Sequence, residues 1–113
     1  MNILVVDDDI AIRNFLSRRL SKEGWKVATV VNSDECLNKI QTDGFDWAII
    51  DVNLGSENGI DLAKQVRVSK PNLKLILMSG QLDNMDKVRE AGFGEMLLKP
   101  FEFSQLRTLM GDS

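Results

Sequence analysis

The sequence alternates short apolar runs with segments of helical periodicity, and this alternation constrains the fold more than any other feature. Runs such as Asn2–Val6 and Trp47–Asp51 are β-branched and apolar almost throughout, which is typical of strands covered on both faces. After the first run, apolar side chains return at helical spacing, as at Ile12, Leu16 and Leu20. That spacing predicts a helix with one buried face. The cycle of strand and helix occurs five times.

Each cycle predicts one strand and one helix. The predicted strands are 2–6, 27–31, 47–51, 73–78 and 96–98. The predicted helices are a first one that ends before Gly24, followed by 33–41, 60–68, 83–91 and 104–110. Short connections between parallel strands require right-handed crossovers that place helices on both faces of one sheet. We therefore expect a single α/β domain over residues 1–113, a flavodoxin-like doubly wound parallel sheet with strand order 2-1-3-4-5.

Composition excludes several classes of function. A chain of 113 residues is the size of one domain, and 43% apolar with 27% charged residues is typical of a globular protein. A net charge of −3 without a basic block predicts no direct contact with nucleic acid or an anionic membrane surface. A single cysteine, Cys36, excludes an internal disulfide. Without an apolar run of membrane length or a signal peptide, a cytoplasmic location is expected.

In a sheet of this type, ligands bind beyond the carboxyl ends of the strands, where the winding direction switches between strands 1 and 3. Polar residues follow four of the predicted strands at that edge. They are Asp7, Asp8 and Asp9 after strand 1, Asp51 and Asn53 at strand 3, Ser79 and Gly80 at strand 4, and Lys99 and Pro100 at strand 5. Carboxylates, a hydroxyl and an amine are thus predicted to converge on one edge.

The aspartates have different predicted roles. Asp9 directly precedes a helix, where a carboxylate caps free amides and meets the positive end of the helix dipole. Asp7 and Asp8 taken alone are typical of solvated loop charges. A second acidic strand end at Asp51 changes that interpretation, because carboxylates held close together repel one another unless a cation neutralises them. Oxygen ligands of this kind suit Mg²⁺ or Mn²⁺.

Three further side chains have a structural interpretation beside the functional one. Asp51 follows an apolar stretch, where charge is disfavoured unless it is used, although it also has the place of a turn-initiating aspartate. Lys99 follows a short apolar run and is either held at the same edge or a surface lysine. Ser79 before a glycine is often only a turn residue. Their joint position at the strand ends favours function.

Four segments in this order resemble the receiver domain of two-component response regulators over essentially the whole chain. The matching segments are residues 3–9 (ILVVDDD), residues 49–51 (IID) with Gly59, Ser79-Gly80, and residues 99–101 (KPF). Any one of these motifs is weakly specific. Their order, each at the end of the expected strand, is highly specific.

The resemblance implies that Asp51 takes a phosphoryl group from a phosphohistidine on a sensor histidine kinase or phosphotransfer protein. Water would later hydrolyse the acyl phosphate, so the domain would catalyse its own phosphorylation and dephosphorylation without being a classical enzyme. Mg²⁺ or Mn²⁺ would bind Asp8 and Asp51 directly. Asp7 would hold the ion through water, and Asn53 through its backbone carbonyl. The Lys99 ammonium would offset negative charge on the group in transfer.

Further positions of the resemblance surround the phosphoryl group. Ser79 would donate a hydrogen bond to a phosphoryl oxygen after transfer, and Gly80 would leave the approach to phosphorus open. The peptide bond before Pro100 would be cis and aim the preceding lysine inward. Asn53 and Gln81 would flank the phosphoryl group and tune its hydrolysis.

The sequence departs from the family pattern at three positions. Met96 occupies the place of a switching Tyr or Phe in strand 5, which puts the usual aromatic rotation in doubt. Gly55 stands where a proline is common, and Asn58 where an acidic residue is common; both concern the loop after strand 3. The resemblance places output partners on the face of helix 4, strand 5 and helix 5: an output domain, an effector protein or a second copy of the chain.

Other classes of protein remain as alternatives. Met96 keeps open a receiver-like interaction module that works without phosphate. Asp7 and Asp9 also form the Asp-x-Asp of a haloacid-dehalogenase-like phosphatase, in which Asp7 would be the nucleophile, although the chain is short for such an enzyme. A flavodoxin-like FMN carrier is disfavoured because the acidic loop after strand 1 repels phosphate.

Overall fold

The computed structural model describes residues 1–94 and 96–111, so the last two residues of the predicted domain 1–113 lie outside the description. The main sheet contains β1 (Asn2–Val6), β2 (Lys26–Val30), β3 (Trp47–Asp51), β4 (Lys74–Ser79) and β5 (Leu97–Leu98). The helices are α1 (Ile10–Lys22), α2 (Ser33–Thr42), α3 (Gly59–Ser69), α4 (Asn84–Glu90) and α5 (Phe103–Leu109). None of the described helices is long and apolar enough to cross a bilayer.

The main sheet is parallel, and its strand order, β2-β1-β3-β4-β5, is the predicted 2-1-3-4-5. Its register aligns the carboxyl ends of the strands. Val6 pairs with Ile50, Asp51 pairs with Met78, and the end of β4 pairs with β5. Because the strands end at nearly the same level, the residues that follow them share one edge.

Side chains of β1 alternate between two cores, as the period of a strand requires. Ile3 and Val5 belong to an apolar cluster with residues of α1 and α5, whereas Leu4 and Val6 belong to a second cluster with residues of α2, α3 and α4. All four side chains are fully buried. The sheet is therefore covered on both faces, and the doubly wound prediction is confirmed.

The N-cap side chains of α1, α2 and α3 accept hydrogen bonds from backbone N–H groups in the first turn of each helix. Asp9 caps α1 by accepting a hydrogen bond from the Ala11 N–H at 2.9 Å, as predicted. Asn58 caps α3 by accepting from the Ile60 N–H at 2.8 Å. The departure from the family pattern at residue 58 thus preserves a helix start, because an asparagine oxygen satisfies a free backbone donor.

The loop after β3 contains a feature that the sequence pattern did not indicate. Residues 53–54 pair antiparallel with residues 57–58 in a short hairpin. Gly55 lies in its turn with φ +58°, a conformation that favours glycine. Gly59 then passes directly over β3, where a Cβ would collide with the backbone carbonyl of Asp51. The loop folds back tightly beside the end of β3.

Candidate functional site

The ends of β1, β3 and β5 bring two carboxylates onto one ammonium group. Lys99 Nζ lies 2.7 Å from Asp7 Oδ2 and 3.1 Å from Asp51 Oδ2. These residues are far apart in sequence, and the parallel register brings them together. The Lys99 side chain is 17% exposed, so the ammonium is held at the edge and is not a freely solvated surface charge. The Lys99–Pro100 peptide bond is cis, as the resemblance implied.

Asp7 is fully buried and its carboxylate is fully engaged. Oδ1 accepts a hydrogen bond from the Asp9 N–H at 2.8 Å, and Oδ2 accepts from Lys99. The backbone carbonyl of Asp7 accepts a further hydrogen bond from Arg13 Nη1 at 2.9 Å. Both oxygens of this carboxylate therefore have protein donors, and the side chain has no surface that a substrate could reach.

Asp8 is exposed, in contrast to its neighbour. Carboxylate oxygens of Asp7, Asp8 and Asp51 all lie within 4.8 Å of one another. Three hard oxygen donors at this spacing, one of them open to solvent, fit a small divalent cation that retains several water ligands. A Cβ built at Gly55 would lie 3.7 Å from Asp8 Oδ2, so the hairpin turn approaches the cluster closely.

Asp51 is 5% exposed. Its Oδ1 accepts a hydrogen bond from the Asn53 N–H at 3.0 Å, and its Oδ2 accepts from Lys99. Burial raises the pKa of the Asp51 carboxyl; the Asn53 N–H and the Lys99 charge act in the opposite direction, and the Asp7 charge adds to the rise. The carboxyl is thus less easily ionised than an ordinary aspartate, as expected for a charge beside other carboxylates.

Lys99 is a cation in this setting. Burial by itself would lower its pKa, but hydrogen bonds and charge interactions with Asp7 and Asp51 outweigh burial and raise the pKa above its ordinary value. The cluster therefore contains three carboxyl groups and one ammonium. The excess of negative charge is what a bound divalent cation would neutralise.

Ser79, at the end of β4, is fully buried and faces the start of α4. Its Oγ accepts hydrogen bonds from the Gln81 N–H at 3.0 Å and from Asn84 Nδ2 at 2.9 Å. Gly80 and Gln81 are exposed at the same edge. The sequence pattern did not indicate Asn84 as part of this arrangement. Its one signal was an amide four residues before Val88, on the inward side of a predicted helix.

Met96 is 6% exposed and packs in the apolar cluster between the sheet and helices α2 to α4. It precedes β5 and occupies the position at which the family pattern has an aromatic side chain. A flexible thioether fills this space without the two defined positions that a ring adopts. The departure from the family pattern at residue 96 thus keeps a buried apolar side chain at this position.

Comparison with known families agrees with this geometry. The matching family model is the response regulator receiver domain, and it covers residues 3–110. The chain belongs to this family. It is a receiver domain of two-component signalling, and the strand-end cluster described above lies at the edge where receiver domains have their acidic site.

Relatives of this receiver domain are longer regulators. The DNA-binding transcriptional regulator NtrC of Bradyrhizobium sp. (strain RP501 Parasponia) is 38% identical over 112 residues, which are 97% of this chain and 23% of that protein. The two-component response regulator PhoP of Pseudomonas aeruginosa is 31% identical, over 94% of this chain and 48% of that protein. The chain thus spans about a quarter to a half of these curated relatives.

A similar solved structure is the response regulator TrrA from Thermotoga maritima, in complex with Mg²⁺-BeF. TrrA is 29% identical to this chain and superposes with a TM-score of 0.88. The superposition covers 97% of this chain and 96% of the TrrA chain. This receiver domain therefore shares its fold with a regulator that was solved in complex with Mg²⁺-BeF.

Proposed function

We propose that Asp51 is the phosphoacceptor of this receiver domain and that its phosphorylation depends on Mg²⁺ or Mn²⁺. The donor is a phosphohistidine on a sensor histidine kinase or a phosphotransfer protein. An oxygen of Asp51 forms a bond to phosphorus as the N–P bond of the phosphohistidine breaks, and the electron pair returns to the imidazole. The observation that carries this proposal is the Lys99 ammonium shared by Asp51 and Asp7 beside the open carboxylate of Asp8.

The residues of the cluster divide into those that hold the cation and the one that is modified. Asp8 and Asp51 would bind the ion directly, Asp7 through water, and Asn53 through its backbone carbonyl. A bound divalent cation supplies positive charge that offsets repulsion between the carboxylates and the incoming phosphoryl oxygens. The complete burial of Asp7 beside the exposed Asp8 supports an indirect role for this residue.

Lys99 is needed because its positive charge offsets the repulsion between the carboxylates and the phosphoryl group. A phosphoryl group that approaches three carboxylates meets repulsion, and the Lys99 ammonium is already within 3.1 Å of the accepting carboxylate. An ammonium fixed there before the reaction stabilises charge on the transferring oxygens without reorganisation. Its raised pKa keeps it charged over the physiological range.

Other residues at the edge would govern the lifetime of the acyl phosphate. Ser79 would donate a hydrogen bond to a phosphoryl oxygen, and Gly80 would leave space for it. A Cβ built at Gly80 has no atom within 4 Å, which supports an open approach. Asn53 and Gln81, both exposed beside the site, would control access of the hydrolytic water.

Burial argues against the phosphatase alternative. Its nucleophile would be Asp7, whose side chain has no exposed surface, whereas 7% of the Asp51 side chain is exposed. A phosphate-independent interaction module is the second candidate, because Met96 is buried at the position of the switching aromatic residue. In that case Asp51 would still bind the cation but its modification would not change binding of a partner.

Treatment with acetyl phosphate and Mg²⁺, followed by intact-mass measurement, tests the proposal. Wild type should gain one phosphoryl group, whereas Asp51→Asn and protein in EDTA should gain none. Asp9→Asn is the matched control, because Asp9 caps α1 and should leave the adduct intact. An undiminished adduct on Asp51→Asn, or none on wild type, would contradict the proposal. If Asp7→Asn abolishes hydrolysis of acetyl phosphate and Asp51→Asn does not, the phosphatase alternative is favoured.

Partners beyond the phosphodonor are also part of the proposal. Membership of the family supports an output domain, an effector protein or a second copy of the chain on the face of α4, β5 and α5. The curated relatives NtrC and PhoP are longer than this chain, which supports an attached output domain. A cytoplasmic location stays a prediction.

A further inference from the structure

Asn84, the first residue of α4, is a buried polar residue outside the predicted site. It is 6% exposed, and among the described residues the other buried polar or charged side chains are Asp7, Asp51 and Ser79. Buried amides are retained where their hydrogen bonds are satisfied. The Asn84 amide donates to Ser79 Oγ at 2.9 Å, so its burial is directed at the site.

The hydrogen bonds of Ser79 Oγ leave its hydroxyl hydrogen available to donate. A hydroxyl has two acceptor lone pairs and one hydrogen. Here the acceptor positions are occupied by Asn84 Nδ2 at 2.9 Å and the Gln81 N–H at 3.0 Å. The hydrogen has only a long contact of 3.4 Å to the Gln81 carbonyl. The hydroxyl is thus arranged to donate to a stronger acceptor, and phosphoryl oxygens are acceptors only.

We propose that Asn84 is a positioning residue that holds the Ser79 hydroxyl as a hydrogen-bond donor for the phosphoryl group on Asp51 and couples that contact to α4. This inference rests on the proposed phosphorylation of Asp51. Asn84 acts through its hydrogen bond to Ser79.

The coupling follows from burial. If Ser79 turns toward a phosphoryl oxygen, Asn84 must follow or leave its amide without an acceptor in a buried setting, which is costly. Asn84 lines a groove of about 300 Å³ between the hairpin and α4, together with Asn53 and Gln81, so there is space for it to move. Since Asn84 begins α4, its movement changes the start of that helix. This path does not pass through Met96.

A double-mutant cycle measured with beryllofluoride and Mg²⁺ tests the positioning. Asn84→Asp keeps the shape of the side chain and removes its N–H donor, so its carboxylate should capture the Ser79 hydrogen. A carboxylate in the first turn of α4 also favours the helix dipole, so the variant should fold. We expect affinity for beryllofluoride to fall about tenfold, close to the loss in Ser79→Ala, as for one charge-assisted hydrogen bond.

The double variant and a matched control separate positioning from charge. In the Ser79→Ala background, Asn84→Asp should cause less than about twofold further loss, because residues that act as one unit are not additive. Asn38→Asp places the same change on the exposed side of α2 and should match wild type. Equal losses from Asn84→Asp in both backgrounds, or wild-type affinity in Asn84→Asp, would overturn the positioning role.

Amide chemical shifts test the coupling to α4. In wild type, beryllofluoride should shift the resonances of residues 84–88, whereas Asn84→Leu should bind it with these shifts lost. Retention of the shifts in Asn84→Leu would overturn the coupling. Failure of the proposed function would give a different result. Wild type itself would then form no beryllofluoride adduct, so the variants could show no loss relative to it.

Discussion

Replacing Asp51 by Asn should stabilise the metal-free protein. Oxygens of Asp51 lie within 4.8 Å of those of Asp7 and Asp8, so at an effective dielectric constant of about 20 each pair repels by about 3.5 kcal/mol. Lys99 Nζ at 3.1 Å returns about 5 kcal/mol of attraction. The two repulsions together exceed this attraction by about 2 kcal/mol, which destabilises the folded state. Solvent around the exposed Asp8 reduces this figure. We expect the free energy of unfolding of Asp51→Asn to exceed that of wild type by about 1–2 kcal/mol.

The pH dependence of this gain has a defined sign. Because the pKa of Asp51 is raised in the folded protein, the folded state binds more protons than the unfolded state between the ordinary and the raised value. The free energy of unfolding of wild type therefore falls as pH rises from the ordinary to the raised pKa of Asp51. The Asn variant has no carboxyl at this position and does not show this fall. The gain should be full once the pH exceeds the raised pKa of Asp51 and should vanish in acid, below the ordinary carboxyl pKa.

Urea unfolding at pH 7 in EDTA, repeated in acid and with excess Mg²⁺, measures these quantities. A cation that binds only the folded state adds about 2.7 kcal/mol at a hundredfold excess over its dissociation constant. Since Asp51 is a proposed ligand, Mg²⁺ should stabilise wild type more than the variant and narrow or reverse the gain. A variant less stable than wild type in EDTA, or a gain unchanged by pH and Mg²⁺, would refute the electrostatic reasoning.

Three further predictions follow from single residues. Lys99→Met should lower the rate of phosphorylation by about a hundredfold or more in a stopped acetyl phosphate assay and destabilise the fold by about 3 kcal/mol, because a buried carboxylate loses its partner; wild-type rates would contradict this. Gly59→Ala should lower the thermal unfolding midpoint clearly, since its Cβ would collide with the β3 backbone, whereas Gly44→Ala, with open space around it, should change stability by less than about 0.5 kcal/mol. Burial raises the pKa of the Cys36 thiol from 9.0 to about 11, so iodoacetamide should modify it in urea but not in the native protein, and native labelling would contradict its placement.

The fold was predictable because the pattern of apolar residues repeats the same unit. Strand–helix alternation predicted the class, the expected strand order 2-1-3-4-5 is confirmed, and the rule for parallel sheets located the edge where Asp7, Asp51 and Lys99 meet. Strand bounds were close; β5 is confined to Leu97–Leu98, one residue shorter than predicted. Long, regular elements follow local pattern, and the short ones depend more on their neighbours.

Details set by tertiary packing were not predictable from the pattern. The helical spacing of 33–41 favours Leu37 and Ile40 as inward residues, and both pack against the core, Ile40 buried and Leu37 partly buried; Cys36, which the spacing does not indicate, is buried as well. How deeply each inward side chain is buried depends on packing against the sheet, which a short periodic segment cannot specify. The burial of Asn84 likewise depends on how α4 packs beside Ser79, and the hairpin at residues 53–58 depends on the close passage of Gly59 over β3.

The most direct test of the account is to locate the phosphoryl group on the chain. Borohydride reduction of protein treated with acetyl phosphate and Mg²⁺ converts an aspartyl phosphate to homoserine, which peptide mass spectrometry assigns to a residue. Homoserine is expected at position 51 and only when Mg²⁺ is present. Homoserine at position 7, or at no position in protein whose mass shows an adduct, would contradict the central claim.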